Sequence, residues 1–137
     1  METANRFEIV LLGIVFDPKK KKILIGKRKG QDPYIKKITW CFPGGRIRNE
    51  EEVEDILKKK IKFKTGFDVA NLGSIFSRVP SEKKDLMLLY FLCEVTGGKE
   101  RPYDDFAELK WVKPEEIEKH FTTSFHPHLK EYILNLK

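Results

Sequence analysis

Apolar residues recur in two patterns along the chain, and these patterns predict both strands and helices. Residues 7–16 are almost continuously apolar, which is typical of a strand buried on both faces. Between residues 53 and 61, apolar side chains recur at helical spacing, which predicts a helix with one buried face. Asn49 and Glu52 form a capping-box-like pair at its predicted start, and Gly66 is placed to end it in the left-handed conformation.

The remaining segments complete a predicted α/β domain. We expect strands over residues 22–28, 38–42, 69–79, 85–96 and 108–112, and helices over 114–121 and 126–136. Strands, one central helix and late helices do not alternate as βαβ units would. The order therefore predicts a mixed sheet with helices on both faces. A length of 137 residues fits one domain spanning residues 1–137.

Composition adds information about partners. Hydrophobic residues make up 40% of the chain and charged residues 35%, which is typical of a globular protein and excludes a disordered one. The net charge of +6 favours an anionic partner such as a nucleotide, a sugar nucleotide or a nucleic acid. The alternative is a lysine-rich surface that only aids solubility.

The two cysteines and the apolar segments bear on compartment. Cys41 and Cys93 lack C-x-x-C spacing and lie in apolar runs, so we expect reduced, buried thiols rather than a zinc site. The apolar run at 7–16 is too short to span a membrane and lacks the layout of a signal peptide. These features predict a cytoplasmic protein with no membrane partner.

Several short strings, in this order, resemble the Nudix superfamily of diphosphate hydrolases. They are LIGKR at 24–28, WCFPGGR at 40–46, and WV at 111–112 before a Pro-Glu-Glu sequence. The superfamily's box consists of a glycine, a glutamate, an Arg-Glu pair, a Glu-Glu pair, and a closing glycine with an aliphatic residue. The positions that fall on this frame are Gly45, Glu51, Ile61, Gly66 and Phe67. The resemblance implies an α/β/α sandwich with a mixed β-sheet.

The box departs from the superfamily's pattern at its charged positions. Lys59 stands in place of the arginine, and Lys60, Phe63 and Lys64 stand in place of three glutamates. The resemblance implies that those glutamates hold magnesium, but a charged lysine has no acceptor for a metal ion. We therefore expect no metal on this helix, and a magnesium cofactor only if its ligands come from elsewhere.

Lys60 and Lys64, here called the box lysines, have two interpretations. In the first interpretation, the acidic residues at 50–52 and the lysines in the C-terminal half of the predicted helix complement its dipole, and the lysines form an ordinary solvent-exposed face. Alternatively, Lys60 and Lys64 contact a substrate phosphate in place of the metal. Glu51 and Lys59 lie about two turns apart and are expected to form a structural pair equivalent to the family's Glu-Arg contact.

The other candidate anion-binding groups lie near the ends of strands. Arginines recognise phosphate through paired hydrogen bonds, and a double glycine lets the backbone approach a ligand closely. For the arginines, the alternative is surface salt bridging. The complete predicted substrate-binding set is Arg28, Gly44, Gly45, Arg46, Arg48, Arg78, Lys60 and Lys64.

A late histidine is the candidate catalytic group. The chain resembles the GDP-mannose mannosyl hydrolases of the superfamily in GKR, PGGR and the segment SFHPHLKEY, in which His126 matches the general base by position. The alternative is that His126 only begins the last helix. The loop acids Asp104 and Asp105, with Glu108, either supply replacement ligands or belong to a polar loop.

Three functions follow from these observations. The first is a divergent Nudix protein that binds a nucleoside diphosphate derivative, with its magnesium-glutamate site lost or strongly weakened. The second is an active hydrolase of a nucleoside diphosphate sugar that uses His126 as general base. The third is a basic nucleic-acid or protein interaction module, which lacks a recognisable RNA motif. Many relatives in the superfamily dimerise, so a homodimer is an expected form.

Overall fold

The computed structural model describes residues 8–47 and 52–136, which form one mixed sheet flanked by helices. The strands are β1 (Glu8–Asp17), β2 (Lys22–Arg28), β3 (Trp40–Cys41), β4 (Gly44–Arg46), β5 (Phe67–Arg78), β6 (Leu86–Gly98) and β7 (Phe106–Val112). The α-helices are α1 (Val53–Thr65), α2 (Ile117–His120) and α3 (Pro127–Leu134), and a 3₁₀ turn, Pro114–Glu116, leads into α2.

The sheet is mixed, as predicted. Its main path runs β3-β2-β1-β6-β5, with β4 also paired to β1 and β7 to β2. The central strands β1 and β6 are parallel, and the other pairs are antiparallel. This arrangement places the short strand β4 and the start of α1 beside the middle of the sheet.

Strand β1 is buried on both faces because successive side chains point to opposite sides. Leu11 and Val15 pack with α1, whereas Ile14 and Phe16 pack with α3. The near-continuous apolar run at the start of the chain therefore serves two cores. Helices cover both faces, and the predicted α/β/α architecture is confirmed.

The segment around the double glycine differs from the predicted strands in two ways. The strand predicted at 38–42 contains only Trp40–Cys41, because the Ile38 amide turns back to donate to the Ile35 carbonyl at 3.1 Å. Gly44–Arg46, for which no strand was predicted, forms a strand paired with β1. A side chain at Gly44 would collide with the Leu11 carbonyl oxygen, so glycine is what allows this strand to approach.

The central helix was predicted with the right stop and the wrong start. Gly66 has φ 82° and its amide donates to the Lys62 carbonyl, which confirms the left-handed C-terminus. The helix begins at Val53, with Glu52 at its N-cap and no side-chain cap bond, so the predicted start at Asn49 is too early. Asn49 itself lies outside the described residues. No helix in the described part of the chain is long and apolar enough to cross a membrane.

Candidate functional site

A cleft of about 380 Å³ opens beside α1 and the double glycine. Its apolar floor comes from alternate residues of the two parallel central strands, Val10 and Leu12 of β1 and Leu86 and Leu88 of β6. Polar and charged side chains also line the cleft, contributed by β2, β4, α1 and the loops before β3 and β7. Such a mixture of apolar floor and a few charged groups is typical of a small-molecule site.

The cleft brings together six of the eight predicted substrate-binding residues from three separate segments. They are Arg28 at the end of β2, Gly44, Gly45 and Arg46 in β4, and Lys60 and Lys64 on α1. Arg48 lies outside the described residues, and Arg78 lies elsewhere. The predicted Glu51–Lys59 pair stays a prediction, because Glu51 also lies outside the described residues.

The two box lysines reach the cleft because of how α1 packs. Leu57 and Ile61 are fully buried against the sheet, which turns the positions on the adjacent face towards β4. The aliphatic stem of Lys60 lies over Gly45, where an added Cβ would be 3.0 Å from the lysine Cδ. The Lys64 side chain is only 12% exposed, so its ammonium is held inside the cleft rather than in open water.

Asp105 joins two of the cations. Its Oδ2 accepts from Lys64 Nζ at 3.4 Å and forms an ion pair with Arg28 Nη1 at 3.0 Å, and Arg28 also pairs with Asp32 at 3.5 Å. The side chains of Arg28 and Asp32 are 10% and 13% exposed. Arg28 Nε and Asp105 Oδ1 are buried and lack a hydrogen-bond partner among the described residues. The network is therefore tight and incompletely satisfied.

The other two cations of the cleft, Arg46 and Lys60, lie outside this network. Arg46 Nη1 donates to Glu8 Oε1 at 2.9 Å, and the Tyr34 hydroxyl donates to the same oxygen at 3.3 Å. Lys60 forms no ion pair with residues 8–47 or 52–136. Within the described cleft, Lys60 is thus the cation most available to an anionic ligand.

A family model described as "NUDIX domain" matches residues 7–133. The chain belongs to the Nudix family. The match covers nearly all of the sequence, including the strands, the helix and the cleft described above.

Individual relatives agree with this fold. A MutT-like protein of Streptomyces ambofaciens is 26% identical over 81 residues, which are 58% of this chain and 51% of that protein, so the match spans about half of the relative's length. A NUDIX hydrolase structure from Nitrosomonas europaea superposes with a TM-score of 0.75 at 18% identity, covering 96% of this chain and 72% of the other. An ADP-ribose pyrophosphatase structure from Streptococcus suis gives 0.62 at 18% identity, covering 79% and 75%. At these identities, the structural matches show the fold alone.

The described residues of the Nudix cleft do not fit a magnesium ion. Magnesium needs several oxygen ligands, but Lys60 and Lys64 line the cleft with ammonium groups. Asp105 is already paired with two cations. Across residues 8–47 and 52–136, no three His, Cys, Asp or Glu side chains are grouped so that they could hold a metal. Phe63 is 49% exposed and packs on Tyr103.

Arg78 lines a second, smaller cavity of about 60 Å³ that shares part of its apolar wall with the cleft. Its Nη2 donates to the Ser124 hydroxyl at 2.8 Å, and the Ser124 amide donates to Glu82 Oε2 at 2.7 Å. Burial alone would raise the pKa of Glu82, but the hydrogen bonds from Ser124 lower it overall. Arg78 therefore joins β5 to the loop before α3, and it does not line the cleft with the other predicted cations.

His126 does not line the cleft either. Its Nδ1 accepts from the His128 amide at 3.1 Å and caps α3, and its ring packs on Phe76 with 4.8 Å between centroids. Burial, followed by the charges of His128 and Arg78, lowers its pKa, so the ring is mainly neutral at pH 7. A neutral ring that accepts at Nδ1 carries its proton on Nε2, so its one basic nitrogen is Nδ1, which the His128 amide engages. The general-base role of His126 stays a prediction.

Sequence reasoning missed two contributors to the site, Asp32 and Tyr34. Asp32 Oδ2 accepts from the amides of Tyr34 and Ile35 at 2.9 Å each, which shapes the loop that walls the cleft. The signal was present, because an aspartate followed by proline in a polar loop often caps the amides two and three residues later. Asp105 was considered as a replacement metal ligand or as part of a polar loop, and its part in the ion network depends on a contact between distant segments.

The cleft thiol of Cys41 is expected to be unreactive in the folded protein. Burial raises the pKa of Cys41 to about 12, with nearby Arg28 and Lys64 lowering it only in part, and burial likewise raises the pKa of Cys93 to about 12. Thiols with such values hold their protons at pH 8, and only the thiolate reacts. Mass spectrometry after iodoacetamide treatment should show modification only when urea is present. Rapid modification of native Cys41 would contradict this.

Proposed function

We propose that this chain is a single Nudix domain that binds the diphosphate of a nucleoside diphosphate derivative in the cleft. We further propose that hydrolysis through magnesium-bound glutamates is lost or strongly weakened. The observation that carries the proposal is the position of Lys60 and Lys64, which line the cleft at glutamate positions of the box, together with Arg28 and Arg46.

The chemistry of the cleft matches such a ligand. Lysine and arginine donate to phosphate oxygens through charge-assisted hydrogen bonds, and this needs no bridging metal. The apolar floor of β1 and β6 offers a surface for a base or another flat group beside the phosphates. A volume of about 380 Å³ also falls in the range of sites for small molecules. The ADP-ribose pyrophosphatase among the structural relatives is named for a nucleoside diphosphate derivative, which supports this class.

Calorimetric titration with ADP-ribose and with GDP-mannose tests the proposal directly. Each titration is run once in EDTA and once in magnesium. We expect at least one of the two ligands to bind in EDTA, with an affinity that magnesium does not increase, because protein ammonium groups replace the ion. Binding that appears only with magnesium would reject the proposal, and so would the absence of binding to both ligands.

The same samples distinguish the other two hypotheses. Product formation in EDTA that disappears in His126→Ala would favour a metal-independent hydrolase with this residue as base. Tight, salt-sensitive binding to RNA without any nucleotide binding would favour the interaction module. Under the proposal, neither product nor RNA binding is expected, and His126→Ala leaves nucleotide affinity unchanged.

A further inference from the structure

The cleft is much closer to neutral than its cations alone would indicate. Among the residues that the structure describes, its charged lining contains four cations and three carboxylates, which are Arg28, Arg46, Lys60 and Lys64 against Asp32, Asp104 and Asp105. A fourth carboxylate, that of Glu8, pairs with Arg46 at 2.9 Å. A highly charged anion therefore enters a site whose positive charge is already largely compensated.

Asp105 has the central place in this compensation. Its Oδ2 bridges Arg28 and Lys64, whose side chains are 10% and 12% exposed, at 3.0 and 3.4 Å. Its other oxygen, Oδ1, is buried without a partner among the described residues. A ligand phosphate that approaches Arg28 or Lys64 must therefore come close to the negative charge of Asp105, whose side chain is 29% exposed.

We propose that Asp105 is a specificity-determining residue that makes the cleft prefer diphosphate diesters over nucleoside triphosphates. This inference rests on the proposed function, since it assumes that the phosphates bind beside the box lysines. A diphosphate diester carries about two negative charges at neutral pH, whereas a triphosphate carries nearly four, because the second ionisation of a terminal phosphate has a pKa near 6. The repulsion from Asp105 acts about twice as strongly on the triphosphate.

The effect of Asp105 on binding should increase with the charge of the ligand. Coulomb energy is proportional to ligand charge. When Asp105 is neutralised, the fold-change in affinity for a ligand with twice the charge should therefore be the square of the fold-change for the less charged ligand. If Asp105→Asn improves the binding of a diester about threefold, it should improve that of a triphosphate about tenfold. Asparagine keeps a carbonyl oxygen and nearly the same volume, so Arg28 and Lys64 retain an acceptor.

The test uses calorimetry in EDTA to compare the affinities of two ligands that share a base. The pairs are ADP-ribose with ATP and GDP-mannose with GTP, each measured on the wild-type protein, Asp105→Asn and Asp68→Asn. Asp68 is the matched control because it pairs with Lys62 of the same helix at 3.1 Å, and neither residue lines the cleft. We expect the wild-type protein to bind the diester of a pair more tightly, and only Asp105→Asn to narrow or reverse that preference.

Each outcome has a distinct meaning. Wild-type protein that binds the triphosphate as tightly as the diester overturns the inference, even if Asp105→Asn does not fold. Equal gains for both ligands in Asp105→Asn, or a loss for both, would show that Asp105 only positions the cations. In either case the proposed function stands, because nucleotides still bind without metal. If no ligand binds the wild-type protein, the proposed function fails and this inference fails with it.

Discussion

Replacing Lys60 and Lys64 together by glutamate is expected to weaken nucleotide binding in EDTA by about a hundredfold or more, which corresponds to about 2.7 kcal/mol. Both side chains line the cleft, and each exchange turns an attractive charge into a repulsive one. Lys64→Glu would also remove one of the two cations that pair with Asp105 and bring a negative charge close to that carboxylate, which accepts from Lys64 at 3.4 Å in the native protein. Calorimetry with the ligand that binds wild-type protein measures the effect.

The same variant should gain affinity for magnesium. The new carboxylates join Asp105 around one space, and a divalent ion relieves their mutual repulsion. Adding Phe63→Glu restores the third box position, although Phe63 faces Tyr103 outside the cleft and should contribute less. A magnesium-dependent rise in melting temperature, which ligand binding to the folded state produces, is the readout.

The control is the double variant Lys58→Glu with Lys62→Glu. It makes the same change in net charge on the same helix, at exposed positions that do not line the cleft. We expect little change in nucleotide affinity and no magnesium-dependent stabilisation. An equal loss in both double variants would show that the overall charge of the chain, rather than the cleft, governs binding.

Gly44→Ala is expected to destabilise the protein by about 3 kcal/mol or more. A Cβ at Gly44 would overlap the Leu11 carbonyl oxygen and approach the Leu12 Cα, and neither backbone atom can move without breaking the pairing of β1 with β4. Gly44 also has φ 157°, a backbone conformation that residues with a side chain rarely adopt. Urea denaturation gives the free energy of unfolding.

Gly45→Ala provides the matched control at the next position. Its Cβ would meet only the flexible stem of Lys60, at 3.0 Å, so a small movement of that side chain relieves the contact. We expect a cost below about 1 kcal/mol, together with weaker nucleotide binding because Lys60 is displaced. If Gly44→Ala costs as little stability as Gly45→Ala, then β4 does not need glycine for its approach to β1.

The segments with a strong local pattern were predictable. Strand β1 and helix α1 are recognised by the spacing of their apolar residues, because that spacing determines which face is buried. Gly66 could be assigned as the helix stop because its role depends on the backbone of one residue. Strand β4 was missed, since Gly44 carries no side chain to show a period and forms a strand only because β1 lies beside it.

The amino-acid sequence by itself determined the family, the mixed α/β architecture and the lysine-rich character of helix α1. These properties depend on residue types at fixed spacings, and spacing is a local quantity. Only the tertiary structure decided which charges meet. Arg28 and Asp105 are far apart in the chain and 3.0 Å apart in space, while Arg78 and His126 lie outside the cleft that gathers the other cations. Ion pairing depends on distance in space, so the near-neutral charge of the cleft could be recognised only after folding had placed the carboxylates beside the lysines.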